Sequence, residues 1–128
     1  MKDQLLYVEL KSGFSDNGPA WIGRGKCSKS GRTIYFNDQA FKPIGGSGIQ
    51  GNYLNIETGD EYWISGVKKD QNDRHWAGSG VVMVDESAVE EYLAFIGAKN
   101  LDDRRYKITR LREGNVRNRI NDYENRKL

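Results

Sequence analysis

Through the first 85 residues, short segments of β-type composition are punctuated by clusters of Gly, Asn, Asp and Ser, and this spacing constrains the fold more than any other feature. Strands of four to eight residues at such intervals give an antiparallel barrel or sandwich. Leu6, Val8 and Leu10 alternate with Tyr7, Glu9 and Lys11, so one face of a first strand is expected to be buried. The turn formers of FSDNGP (14–19) predict a loop. Ala20 to Ser28 and Arg32 to Asn37 flank SKSG, whose Gly31 can take a positive φ, and the two segments read as a hairpin with Ile34 and Phe36 on one face. After GGSG (45–48), segments 52–57 and 61–69 flank TGD, with Leu54 and Ile56 expected as a core pair. The apolar run 80–84 reads as a central strand.

At Ser87 the period changes. Ser87 and Glu90 have capping-box spacing, Val89, Tyr92, Leu93 and Ile96 follow at helical intervals, and Gly97 is a stop signal, so a covering helix is expected near residues 87–97. YKITRL (106–111) alternates like a strand. Beyond Asn115, the apolar stripe of Val116, Ile120 and Tyr123 is too narrow to hold an isolated helix in water. That stripe needs a surface, on the body or on another copy.

A chain of 128 residues can bury a core without staples, and it reads as a barrel domain over 1–100 followed by a basic extension over 101–128. The expected class is mainly β (α+β), a small antiparallel SH3-like or OB-like barrel with one helix and a basic C-terminal tail. The single Cys27 rules out an internal disulfide and suits a reducing compartment. No apolar run approaches a membrane span, and MKDQLLYVELK lacks the apolar core of a signal peptide, so a cytoplasmic address is expected. Charge is unevenly placed: residues 1–100 hold 11 Lys/Arg against 13 Asp/Glu, whereas 101–128 hold 9 against 5. Only the tail therefore offers a footprint for a polyanion.

Three phrases carry a resemblance: YVELKSGFSDNGPAWIG (7–23), SKSGRTIYFN (28–37) and GNYLNIETGDEYWISGVKKDQNDRHWAGSG (51–80). With the short helix that follows, they resemble a widespread group of small bacterial proteins of unassigned function. The resemblance implies a small barrel-like fold and no particular chemistry, and it leaves the basic tail uncovered.

The residue inventory narrows the chemistry. A Ser or Cys nucleophile would have to use His75, the one histidine, and no nucleophile-elbow pattern surrounds any candidate. One His and one Cys cannot supply a zinc site, and the acids of the 59–80 stretch lack a calcium-loop spacing, so no metal or cofactor is expected. The glycine clusters match no phosphate-binding motif.

What remains is GDEYWISGVKKDQNDRHWAGSG (59–80), where a cation, an imidazole and an indole follow a turn. Arginine beside aromatic rings can hold a planar or anionic group. The favoured reading is a non-catalytic module binding a small molecule or a protein, with Trp21, Trp63, Arg74, His75 and Trp76 at its surface. An enzyme acting on a small phosphorylated or sugar substrate through His75 is the first alternative. The second is a single-stranded nucleic-acid module using exposed aromatics with Arg104, Arg105, Arg110, Arg112, Arg117 and Arg119. The tail stripe also makes a homo-oligomer an expectation.

Overall fold

A computed structural model describes residues 2–14, 17–44, 51–74 and 80–120. In chain order the elements are β1 (Lys2–Leu10), β2 (Ala20–Cys27), β3 (Ile34–Phe36), β4 (Gln39–Pro43), β5 (Tyr53–Asn55), β6 (Glu61–Gly66), β7 (Val82–Asp85), a 3₁₀ turn (Glu86–Ala88), α1 (Val89–Ile96) and β8 (Tyr106–Thr109). Strands β1, β6, β5, β4, β3 and β2 pair antiparallel in that order, and β1 pairs with β2 to close a six-stranded barrel. The fold class is the expected one: mainly β, built on a small antiparallel barrel consistent with the SH3-like and OB-like kind.

Local chemistry explains the corners. SKSG makes the expected β2–β3 hairpin: Ser28 N–H donates to the Thr33 carbonyl at 2.8 Å, and Gly31 takes φ +73°. The β3–β4 corner, which the sequence pattern did not reveal, is a two-residue turn. Asn37 and Asp38 there have φ of +53° and +57°, values their short polar side chains tolerate and the twist of a hairpin favours. On β2, a Cβ at Gly23 would sit 2.5 Å from a Leu111 methyl, and one at Gly25 equally close to Leu6. Absent side chains on this strand thus let barrel-filling groups reach the wall.

Leu6, Val8, Ile34, Phe36, Phe41, Tyr62 and Ile64 fill the barrel, with Leu10, Trp21, Tyr53 and Leu111 packed against them. On β5 the register reverses the expected face: Tyr53 points to this core and Asn55 is buried, while Leu54 is half-buried. Ile56 packs instead on a separate outer cluster. The cause lies in the turn that follows, where the Asn55 side-chain oxygen accepts the N–H groups of Glu57 and Thr58 at 2.8 and 3.1 Å. A buried amide with that job fixes the strand's rotation.

A second layer lies on the outer face of β1 and β2. Strand β7 pairs parallel with both β2 and β8, so the apolar run is central to this layer, although parallel. Here Tyr7, Ala20, Ile22, Val82, Val84, Tyr92 and Tyr106 form a second core. The helix starts differently from the expected capping box. Ser87 Oγ donates to Asp85 at 2.6 Å and caps nothing in α1, because the 3₁₀ turn intervenes. Gly97 does end the helix, at φ +74°, with its N–H on the Leu93 carbonyl. Finally, a helical turn at 116–120 lays Val116 and Ile120 over Ala40, Tyr35 and Ile56 outside the barrel.

Candidate functional site

Odd-numbered residues of β1 point away from the barrel, and the segment after β6 folds back over them. Register places Tyr7 opposite Ser65 and Glu9 opposite Trp63 on this outer face. The turn at 68–74 ties itself down through Asp73, whose Oδ1 accepts the Lys68 N–H at 2.8 Å, and through Asn72, whose N–H donates to Asp70 at 3.0 Å. Burial follows for a set of charged groups that would otherwise be solvated. Glu9 is 1% exposed, Lys11 6% and Asp73 8%.

Tyr7, Glu9, Lys11 and Arg74 form one network. Tyr7 donates its hydroxyl to Glu9 Oε1 at 2.5 Å, Lys11 Nζ lies 2.9 Å from Glu9 Oε2, and an Arg74 nitrogen lies 3.7 Å from the same oxygen. Arg74 also donates to the Gly18 carbonyl at 2.9 Å, fastening the first loop to this turn. Burial first, then the bond to Glu9, pushes the Tyr7 phenol far above its ordinary value, so it remains a donor at any physiological pH. Burial raises the Asp73 carboxyl, opposed by the Lys68 N–H and charge. Its second oxygen, like Ser65 Oγ, has no hydrogen-bond partner among the described residues. Glu9 thus faces two cations in a dry site, the condition under which a buried carboxylate persists as an ion.

Beside this network runs a cleft of about 540 Å³ between the 71–74 turn, Gly80–Val82 and the start of β8. Gln71 stands at its mouth in the left-handed region, φ +63°, which a non-glycine residue adopts only when its surroundings hold it there. Two bonds do so: its side-chain amide donates to Tyr106 Oη at 3.2 Å, and its carbonyl accepts from Arg105 at 3.0 Å. Tyr106 and Tyr92 share a hydroxyl contact of 3.1 Å beneath. Arg104 and Arg105 both line the cleft, and the Arg104 guanidinium makes no ion pair among the described residues.

The sequence-expected surface is therefore divided. Arg74 lies at the buried floor, its side chain 11% exposed. Trp21 faces into the barrel, because it pairs with Val8, whereas Trp63 points outward on β6 and is 40% exposed. The wall of the barrel separates the two indoles. His75 and Trp76 lie outside the described residues. Sequence reasoning missed Tyr7, Glu9 and Lys11, since an alternating polar set reads as a wet face. It also missed Gln71, for which no local signal exists.

The arginines of the tail differ in their commitments. Arg119 forks onto Glu57 at 3.0 Å and Asp38 at 3.2 Å, which lowers the Glu57 carboxyl and raises the guanidinium. Arg110 pairs with Glu86 at 2.8 Å. Arg112 and Arg117 are exposed. Among the described residues no three His, Cys, Asp or Glu side chains gather as metal ligands, and no helix is long and apolar enough to cross a membrane. Compared with known proteins, the chain matches no family model, no curated protein and no solved structure.

Proposed function

We propose that this protein is a non-catalytic binding module that takes a small anionic ligand in the cleft between the 71–74 turn and the start of β8. One observation carries the reading: the guanidinium of Arg104, without an ion pair among the described residues, stands beside Arg105 at the rim of a cleft of about 540 Å³. That volume is in the range that encloses a small molecule. A guanidinium presents forked donors to carboxylate or phosphate, and that of Arg105 lies 5.5 Å from the Tyr106 ring centroid and is held by its bond to the Gln71 carbonyl. The strained backbone of Gln71 supports the same location, since such strain concentrates at ligand clamps. The charged groups beneath supply rigidity: each of Glu9, Lys11 and Arg74 is engaged with another, which suits a scaffold better than proton transfer.

A thermal-shift screen with inorganic phosphate, citrate, sugar phosphates and nucleoside monophosphates tests this. A probe present at a hundred times its Kd is expected to stabilise the fold by about 2.7 kcal/mol, several degrees in Tm. Arg104→Ala should abolish the shift without altering the Tm of the free protein. A shift that survives in Arg104→Ala, or none with any anion, would refute the cleft as the site.

A further inference from the structure

Among the described residues, closing the barrel leaves the sheet with one open edge. Strands β1 to β6 are each paired on both sides, β7 lies between β2 and β8, and β8 pairs, among those residues, with β7 alone. Val82 N–H donates to the Arg105 carbonyl at 2.9 Å, so in the parallel ladder residues 105, 107 and 109 turn their backbone groups to β7. The Tyr106 carbonyl and both backbone groups of Ile108 consequently point outward. Ile108 is also 61% exposed, the most exposed large hydrophobic residue described. A donor and an acceptor with no backbone partner among the described residues, beside an exposed branched apolar side chain, are what an added strand uses.

Charge selects the occupant. The run RRYKITRLR (104–112) holds five cations and no acid. Arg110 is engaged by Glu86, and Arg105 by Gln71, but Arg104, Lys107 and Arg112 reach solvent without an ion pair among the described residues. Two such runs side by side would repel, which disfavours a second copy of this chain across the edge. An acidic strand in the same place would meet opposite charge on Lys107 and its neighbours. Nucleic acid would find cations here but no stacking face, since Tyr106 is buried.

We propose that β8 is a docking edge for an extended acidic peptide of a partner protein, which adds to the sheet through Ile108. This edge adjoins the cleft and shares Arg104 with it, but pairing through Ile108 does not depend on a ligand in the cleft.

The test measures fluorescence anisotropy of labelled peptides with the full chain. The probes are an octapeptide alternating glutamate and valine, its lysine–valine counterpart, and a fully N-methylated glutamate–valine peptide that keeps the charge but donates no backbone hydrogen bond. Binding is expected for the first, weakening as salt rises, with the N-methylated form at least about ten-fold weaker and the lysine form not bound. Ile108→Pro removes the outward donor while sparing the β7 ladder, and should also weaken binding at least about ten-fold. If that variant fails to fold, the N-methylated comparison on the unaltered chain decides. The proposal is overturned if the glutamate–valine peptide does not bind, if N-methylation or a folded Ile108→Pro leaves binding unchanged, or if a short oligothymidylate binds and the peptide cannot displace it.

Discussion

Asp73 shows how one residue's environment sets its chemistry. Its Oδ1 organises the 68–74 turn, yet its carboxyl is buried with one oxygen unpartnered among the described residues, and burial raises its pKa above the ordinary aspartate value. Between that ordinary value, about 4, and the raised one, the folded chain binds more protons at this site than the unfolded chain. Asp73 therefore contributes a loss of stability as pH rises through this window, and the loss is fully present above the folded pKa. Asp73→Asn keeps an acceptor for Lys68 and cannot ionise. The Tm of the variant minus that of the parent is expected to become more positive from about pH 3 to pH 7, the span that brackets the ordinary value. A difference that stays flat across the range would mean that Asp73 titrates as an exposed carboxylate. Glu9 contrasts with it. Its charge is compensated at 2.9 Å by Lys11, and its other oxygen holds the Tyr7 hydroxyl.

Among elements, β1 and the helical turn at 116–120 depart furthest from what their sequences suggest in isolation. The alternation in β1 correctly marks Leu6 and Val8 as inward, but its polar partners are buried as well, because a segment more than fifty residues away folds over them. Among the described residues, the 116–120 turn contributes Val116 and Ile120 as apolar contacts, and it is held by neighbours: Arg119 on Asp38 and Glu57, and the Val116 N–H on Asp38 at 3.2 Å. Ile120→Ala should cost about 2 kcal/mol, the low end for a buried isoleucine, because the cluster beneath is small. Exposed Arg117→Ala should stay within about 0.5 kcal/mol. Urea denaturation of both variants gives the comparison, and equal effects would show that the stripe is not docked in solution. Helix α1 illustrates a smaller divergence, since the capping-box letters are present and the intervening 3₁₀ turn redirects Ser87 to Asp85.

At the scale of the molecule, residues after 100 belong to every packed cluster. Leu111 packs against the barrel interior, Tyr106 and Leu101 enter the second core, and Val116 with Ile120 forms the third. Unfolding is accordingly expected to be one cooperative transition, with tryptophan fluorescence and far-ultraviolet circular dichroism giving the same midpoint. A chain ending at residue 100 should lose that cooperativity; an unchanged midpoint would make 101–128 an appendage. The strands, the SKSG hairpin, the helix and its glycine stop were legible because each rests on local periodicity or on a residue's own φ preference. The same local rules name Ile34 and Phe36 as members of one face. They do not reveal the Asn37–Asp38 turn, whose two side chains tolerate positive φ without demanding it, or the rotation of β5, which a buried amide decides. The cleft was half legible: Arg74, Arg104 and Arg105 stood out as cations, but nothing local joins them to Gln71 or to the tyrosine pair. By itself the sequence determined which segments could be strands and which faces were apolar, since those follow from spacing. Only the tertiary structure decided that Tyr7, Glu9 and Lys11 would be dry and that Trp21 and Trp63 would part across a wall. It alone left β8 as the open edge among the described residues, because closure, burial and charge pairing arise between residues far apart in the chain.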